Sequence, residues 1–159
     1  MSDDGIFLPT YEGCIICGQK RVNPSSMNLR LHTTPDGVEV EFKPEAVHEG
    51  YRNIVHGGVL CALLDETIGW AVAVQRRKYF VTAELNVRFL RPLAVGTPVT
   101  VRGRAVEHQS RYSVAEGEVV DREGNVYAKG SGKFFVMPDE KAWDVHGYLT
   151  FREGDLDFL

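Results

Sequence analysis

The period of the apolar positions changes twice along the chain. Leu29 and Leu31 alternate with polar neighbours, as do Val38, Val40 and Phe42. Pro35-Asp36-Gly37 between them is turn chemistry, so the two runs read as a hairpin. Residues 44–55, with Pro44 and Gly50, read as a connecting loop. The alternation then stops. HGGVLCALLDETIGWAVAVQ is apolar on nearly every face, with Val59, Leu60, Leu63, Leu64, Ile68, Trp70, Val72 and Val74 spread round it. The spacing predicts a helix over 56–75, about 30 Å long at about 1.5 Å per residue. Arg76-Arg77-Lys78 follow it, where positive charge suits the negative end of the dipole.

Period two returns in four runs. Ala83, Leu85, Val87 and Phe89 share one face, with Thr82, Glu84, Asn86 and Arg88 on the other. Val99, Val101, Gly103 and Ala105 form a second run; Ser113, Ala115, Gly117 and Val119 a third; Val126, Ala128, Gly130, Gly132 and Phe134 a fourth. The short, turn-rich links between the runs imply antiparallel neighbours. A helix apolar all round needs cover all round. The small residues on the later strands let it lie close and let the sheet curl. The expected architecture is α+β, one long helix wrapped by a curved antiparallel sheet.

Composition narrows the class. With 43% hydrophobic and 25% charged residues in 159, the chain is neither disordered nor fibrous. The net charge of −4 comes without a basic stripe, so nucleic acid is not an expected partner. The apolar stretch from Val59 to Leu64 is cut by Asp65-Glu66, and a bilayer span takes about 20 apolar residues, so no membrane is expected. Three cysteines cannot complete a disulfide framework, and the acidic start Met1-Ser2-Asp3-Asp4 lacks the build of a signal peptide. A cytoplasmic setting is expected. The chain divides into an irregular leader (1–26), a regular domain (27–137) and a tail (138–159).

Two features carry chemistry. Asp65 stands in the middle of a helix read as buried, where a carboxylate is costly unless paired or used. It shares a stripe with Gly58, Cys61, Gly69 and Val72, so there is room over it; Glu66 points about 100° away, beside Ala62, Leu63 and Trp70. A structural reading has both acids meeting arginines or backbone at the rim of the core. His56-Gly57-Gly58 opens the helix, where unpartnered N–H groups polarise a carbonyl or hold an anion. Its structural reading is a loop-to-helix junction needing unusual dihedrals, with His56 as a cap or a packed core residue. Gly58 and Asp65 are about two turns apart and about 10 Å along the axis. An acyl group lying along that side would put its carbonyl at the Gly57 N–H and a water at Asp65, which suits acyl transfer to water.

His56-Gly57-Gly58, Val59 to Leu64, Asp65, Thr82-Ala83-Glu84-Leu85-Asn86-Val87 and Arg91-Pro92-Leu93 together resemble the hotdog-fold acyl-CoA thioesterases of the PaaI-like type, over about residues 27–137. Cys14-Ile15-Ile16-Cys17-Gly18 and Asn23-Pro24 resemble a leader of the same group. The resemblance implies that Asp65 is general base or nucleophile and that the Gly57 N–H polarises the thioester carbonyl. It implies that His56 orients the loop, within reach of the thioester, and that Thr82 helps hold the attacking water. Gly58 and Glu66 then border the substrate, and no cofactor is needed beyond the coenzyme A of the substrate. It also implies a homodimer or dimer of dimers, with the site between two subunits. One position departs: many members carry Asn or Gln six residues before the histidine, where this chain has Gly50, so either Asn53 substitutes or the second polar contact is absent.

Other features stay open. Cys14 and Cys17 have CxxC spacing, but no second pair follows and zinc takes four ligands, so no metal site is expected. Cys61 reads as a small buried hydrophobe. Arg88, Arg91 and Arg76-Arg77-Lys78 either meet the phosphates of coenzyme A or are solvated charge. Trp143, Tyr148, Phe151 and Phe158 in the tail cover the sheet, a partner or the acyl pocket. A hotdog module that binds acyl-CoA without turnover is the alternative function, motivated by Gly50. A hotdog dehydratase uses a different His-and-acid arrangement, and a DNA-binding regulator needs a helical segment that residues 1–26 do not offer.

Overall fold

The computed structural model describes residues 5–158; the acidic start 1–4 and Leu159 lie outside the described residues. β1 (His32–Thr34) and β2 (Gly37–Phe42) form the expected hairpin. A 3-10 turn (Ala46–His48) and a small hairpin, β3 (Glu49–Tyr51) with β4 (Ile54–Val55), lead into α1 (Gly57–Arg76). Then come β5 (Phe80–Phe89), β6 (Val99–His108), β7 (Tyr112–Asp121), β8 (Val126–Val136) and a second helix, α2 (Asp139–Tyr148). Six strands form one antiparallel sheet in the order β1-β2-β6-β7-β8-β5, curled round α1. This is the hotdog arrangement.

The small residues do what their pattern implies. A Cβ on Gly103 would meet Ile68 Cγ2 at 2.9 Å, and one on Gly117 would meet the same atom at 2.6 Å. On Gly130 it would meet Leu64 Cδ1 at 3.3 Å. The sheet therefore has a hollow that Ile68 and Leu64 fill, and both are fully buried with Leu63 and Val72. By length and apolarity alone α1 would cross a membrane, but Leu60, Leu63, Leu64, Ile68 and Val72 are spent on the core.

Three regions differ from the sequence pattern. Leu29 and Leu31 precede β1 and bond to the leader instead: Leu29 N–H to Ile16 O at 2.9 Å, and Leu8 N–H to Leu31 O at 3.0 Å. The leader, though irregular, buries Leu8, Ile16 and Cys17 in the same core as α1. The loop 44–55 holds the β3–β4 hairpin. The tail forms α2, which buries Ala142, and then sets Phe158 against the Tyr79 ring at 5.3 Å between centroids.

β5 is an edge strand, and it is bulged. Thr82 pairs with Phe134, Glu84 with Lys133 and Leu85 with Gly132, so Ala83 is the extra residue. Phe134 and Gly132 lie on one face of β8, so Thr82 and Leu85 share a face. Strict alternation put Thr82 on the face opposite Leu85; the bulge turns it toward α1.

Candidate active site

The start of α1 opens a cavity of about 630 Å³, lined by Gly50, Tyr51, His56, Gly57 and Leu60 and by Phe89 to Leu93. His56 is the N-cap. Its Nδ1 accepts the Gly58 N–H at 2.8 Å, and its own N–H bonds His48 O at 2.8 Å. The Gly58 donor is thereby used. The Gly57 N–H has no acceptor among the described residues, and it stands at the positive end of a 20-residue helix. A Cβ on Gly57 would meet the Phe89 ring at 3.1 Å, so this end of β5 presses on the helix start. Gly50 abuts His56: a Cβ there would meet His56 Cα and Cδ2 at 3.0 Å. The space for an amide side chain is taken by the histidine.

Asp65, two turns on, is half-buried. The Thr82 hydroxyl donates to its Oδ1 at 2.8 Å. Asp65 has no arginine or lysine partner among the described residues. A second cavity of about 190 Å³ lies over the pair, walled by Trp70, Phe80 and Phe134 and by Met137, Val145 and Leu149 of the C-terminal segment. Those last three were missed by sequence reasoning. Their signal was Ala142, Val145 and Leu149 at helical spacing inside a stretch read as a tail. Gly57 and Asp65 thus lie on one helix but open into two cavities.

The other candidates fall elsewhere. Asn53 sits in the β3–β4 turn at φ +59°, a left-handed conformation that asparagine accepts readily, and it does not line the Gly57 cavity. Arg88 is exposed on β5 opposite Lys129, away from both cavities. Arg76 is tied to Gln109 O and Ser113 Oγ, at 3.1 and 3.2 Å. Glu66 touches the wall of the Asp65 cavity but is held by the Trp70 indole N–H at 3.1 Å and packs toward the leader. Burial pushes its carboxyl up to about 7, with the nearby Cys14 and Asp65 adding to the rise. The Cys17 S–H holds the Cys14 thiol down at about 6 against its burial, helped by backbone N–H groups of Cys17 and Ile16. Cys17 is pushed up by that same bond and by burial.

Comparison with known proteins places this geometry. The sequence profile of the thioesterase superfamily matches residues 52–128, which run from the β3–β4 turn to β8. A protein of Saccharolobus solfataricus, provisionally named an esterase, is 33% identical over 101 residues, covering 63% of this chain and 70% of its own length. Acyl-coenzyme A thioesterase THEM5 of Mus musculus is 31% identical over 102 residues; the match spans 63% of this chain but only 40% of that protein. Among solved structures, a variant of the phenylacetic acid degradation protein PaaI from Thermus thermophilus superposes with a TM-score of 0.63 at 28% identity, covering 69% of this chain and 93% of that one. A further thioesterase superfamily structure reaches a TM-score of 0.70 at 26% identity, covering 77% of this chain and 63% of the other. The chain belongs to the thioesterase superfamily, a group of thioester hydrolases with the hotdog fold.

Proposed function

We propose that this chain is an acyl-CoA thioesterase that works as a dimer, with each site assembled from two subunits. The observation that carries this is the placing of the two cavities at opposite ends of β5. The Gly57 cavity is walled by Phe89 to Leu93, and the Asp65 cavity by Phe80 and Thr82. β5 leaves one edge of the sheet unpaired, with Val81, Phe89 and Leu90 43–52% exposed. A second copy pairing antiparallel along that edge, about a two-fold axis, brings the Phe80 end of one strand to the Phe89 end of the other. The Gly57 cavity of one subunit then adjoins the Asp65 cavity of its partner. A dimer of two such dimers keeps the same sites.

In this reading the larger cavity takes the thioester, and the Gly57 N–H polarises its carbonyl. Asp65, set by Thr82, takes the proton of a water that adds to the carbonyl carbon. Collapse of the adduct expels the coenzyme A thiolate and leaves the free acid. Direct attack by Asp65 through an anhydride gives the same products. The chemistry calls for no cofactor beyond the coenzyme A of the substrate. His56 acts by capping and Gly58 by close approach to the substrate, while Asn53 and Arg88, outside both cavities, have no part in the chemical step. The three free cysteines suit a reducing, cytoplasmic setting.

Complementation tests both parts. Gly57→Pro removes the N–H at a first helical position that favours proline. Its Cβ, 3.1 Å from the Phe89 ring, asks that ring to shift by a few tenths of an ångström, so the refolded variant's far-ultraviolet circular dichroism must match wild type. The preceding His56 at φ −62° and ψ 134° already has the backbone that proline requires. Gly57→Pro and Asp65→Asn should each abolish thiol release from a panel of short, medium, long and aromatic acyl-CoAs. Unfolded and refolded together in equal amounts, they should regain about a quarter of wild-type activity, since half the dimers are mixed and each carries one intact site. No recovery would refute the shared site. Asp65→Asn with full activity would refute the mechanism. Gly50 favours one rival, a binding module: tight acyl-CoA binding by wild-type protein with no thiol released would establish it.

A further inference from the structure

The leader and α1 together build a constellation that the hydrolase reading does not use. Residues 11–18 fold into two tight turns, closed by Cys14 N–H to Tyr11 O at 3.0 Å and Gly18 N–H to Cys14 O at 2.9 Å. Inside them, Cys14 Sγ accepts the backbone N–H groups of Ile16 at 3.3 Å and Cys17 at 3.4 Å. Backbone donors of this kind orient a thiolate toward a metal and offset its charge. The turn tolerates only glycine after Cys17, because a Cβ on Gly18 would meet Cys14 O at 2.2 Å and Glu12 O at 2.6 Å. It is also fastened from outside, by Ser26 Oγ–H to Gly18 O at 2.9 Å and Asn23 Nδ2–H to Gly13 O at 3.0 Å.

The missing second cysteine pair is not needed, because α1 supplies a third donor. Cys14 Sγ, Cys17 Sγ and a Glu66 carboxylate oxygen all lie within 4.8 Å of one another. Zinc binds sulfur at about 2.3 Å and carboxylate oxygen at about 2.0–2.2 Å, so a tetrahedral ion holds two sulfurs about 3.8 Å apart. The cluster needs only a small contraction to reach that geometry. Two thiolates with one carboxylate favour zinc over magnesium or calcium, which take oxygen ligands. The Trp70 indole N–H on Glu66 Oε1, at 3.1 Å, is an outer-shell partner of the usual kind.

We propose that Cys14, Cys17 and Glu66 bind one zinc ion per chain, with water as the fourth ligand, stapling the leader onto α1. The ion fastens Glu66, the residue beside Asp65, to a segment otherwise held by turns, isolated backbone bonds and the burial of Leu8, Ile16 and Cys17. The proposal stands whether or not the chain is a hydrolase.

The test is metal binding by the full-length chain. Protein stripped of metal under reductant should take up one equivalent of zinc in competition with a chromophoric chelator. Cobalt in place of zinc should give the near-ultraviolet sulfur-to-metal band of thiolate coordination and the visible bands of a tetrahedral site. Cys14→Ser with Cys17→Ser should bind neither metal. Glu66→Gln should weaken zinc by more than the roughly 10–100-fold that loss of an outer-shell partner brings. Failure of the reduced wild type to bind zinc or cobalt would overturn the site, and this needs no variant to fold. So would unchanged affinity in Glu66→Gln. So would thiol trapping in freshly lysed cells that finds Cys14 and Cys17 joined as a disulfide, which would make them a redox pair instead.

Discussion

The two sides of α1 face opposite surroundings. On one side Ile68 and Leu64 fill a hollow of glycines in the sheet and are wholly excluded from water. On the other, Asp65, Glu66 and Gly69 line a cavity and keep partial contact with solvent. On the dry side the one buried hydroxyl among the described α1 residues, Thr67, is satisfied within the helix by donating to Leu63 O at 2.7 Å. The wet side has carboxylates, a hydroxyl and room. One face supplies the burial that fixes the helix, at about 1.5–3 kcal/mol for each large aliphatic side chain. The other is thereby free to hold a charge that helps no packing. Stability and chemistry should separate along a line less than one turn wide, between residues 65 and 68.

The largest effects should fall on that line. Asp65→Asn keeps an oxygen for the Thr82 hydroxyl to bond, so the fold should melt as the wild type does. Acyl-CoA hydrolysis should fall by about 10²–10⁴-fold, the range for a lost general base. Ile68→Ala should do the reverse, costing about 2–5 kcal/mol in urea unfolding, with kcat nearly intact below the melting range. If Asp65→Asn lowered Tm as far as Ile68→Ala while both kept their activity, the two sides would not be distinct. A smaller effect should come from the sheet. Gly117→Ala sets a methyl group 2.6 Å from Ile68 Cγ2 and 2.5 Å from Arg102 O. Backbone and side chain must both give way, for about 1–3 kcal/mol by denaturant unfolding.

The dry side could be read from the chain, while the wet side could be read only in part. The apolar run predicts α1 within one residue at each end, because a long stretch apolar on nearly every face is bounded by His56-Gly57-Gly58 before it and Arg76-Arg77-Lys78 after it. The glycine and alanine faces of β6, β7 and β8 predict its bed. Asp65 stands out as a charge where none is expected, and the glycines at 57 and 58 mark the helix start. What the chain hides is whatever a distant partner decides. Register against β8 creates the bulge at Ala83, so alternation alone points Thr82 the wrong way. The leader joins the core through single residues, Leu8 and Ile16, which form no periodic pattern. α2 follows Pro138 with no side-chain cap, so only the acidic pair Asp139-Glu140 in its first turn announces it. Glu66 is too far along the chain from the Cys14 and Cys17 pair for any spacing rule to connect it to them.

Thr82 gives the smallest and sharpest test of the division. It belongs to an edge strand and is exposed, yet the bulge delivers its hydroxyl to Asp65 at 2.8 Å. As a packing residue it would be replaced by the isosteric valine at no loss. As a positioning residue it would not. A hydrogen bond to a charged group is worth about 1.5 kcal/mol at the low end of its range, the end suited to a site this exposed, and that energy is about tenfold in rate. Thr82→Val should therefore lower kcat about tenfold with little change in KM, because the lost bond orients Asp65 and touches no part of the acyl chain. Thr82→Ser keeps the hydroxyl on a strand that tolerates serine and should stay close to wild type. Equal activity in both variants would show that the bulge serves packing at the sheet edge and that Asp65 holds its place unaided. A loss in both would show that the γ-methyl group, and with it the contact surface of β5, sets the rate.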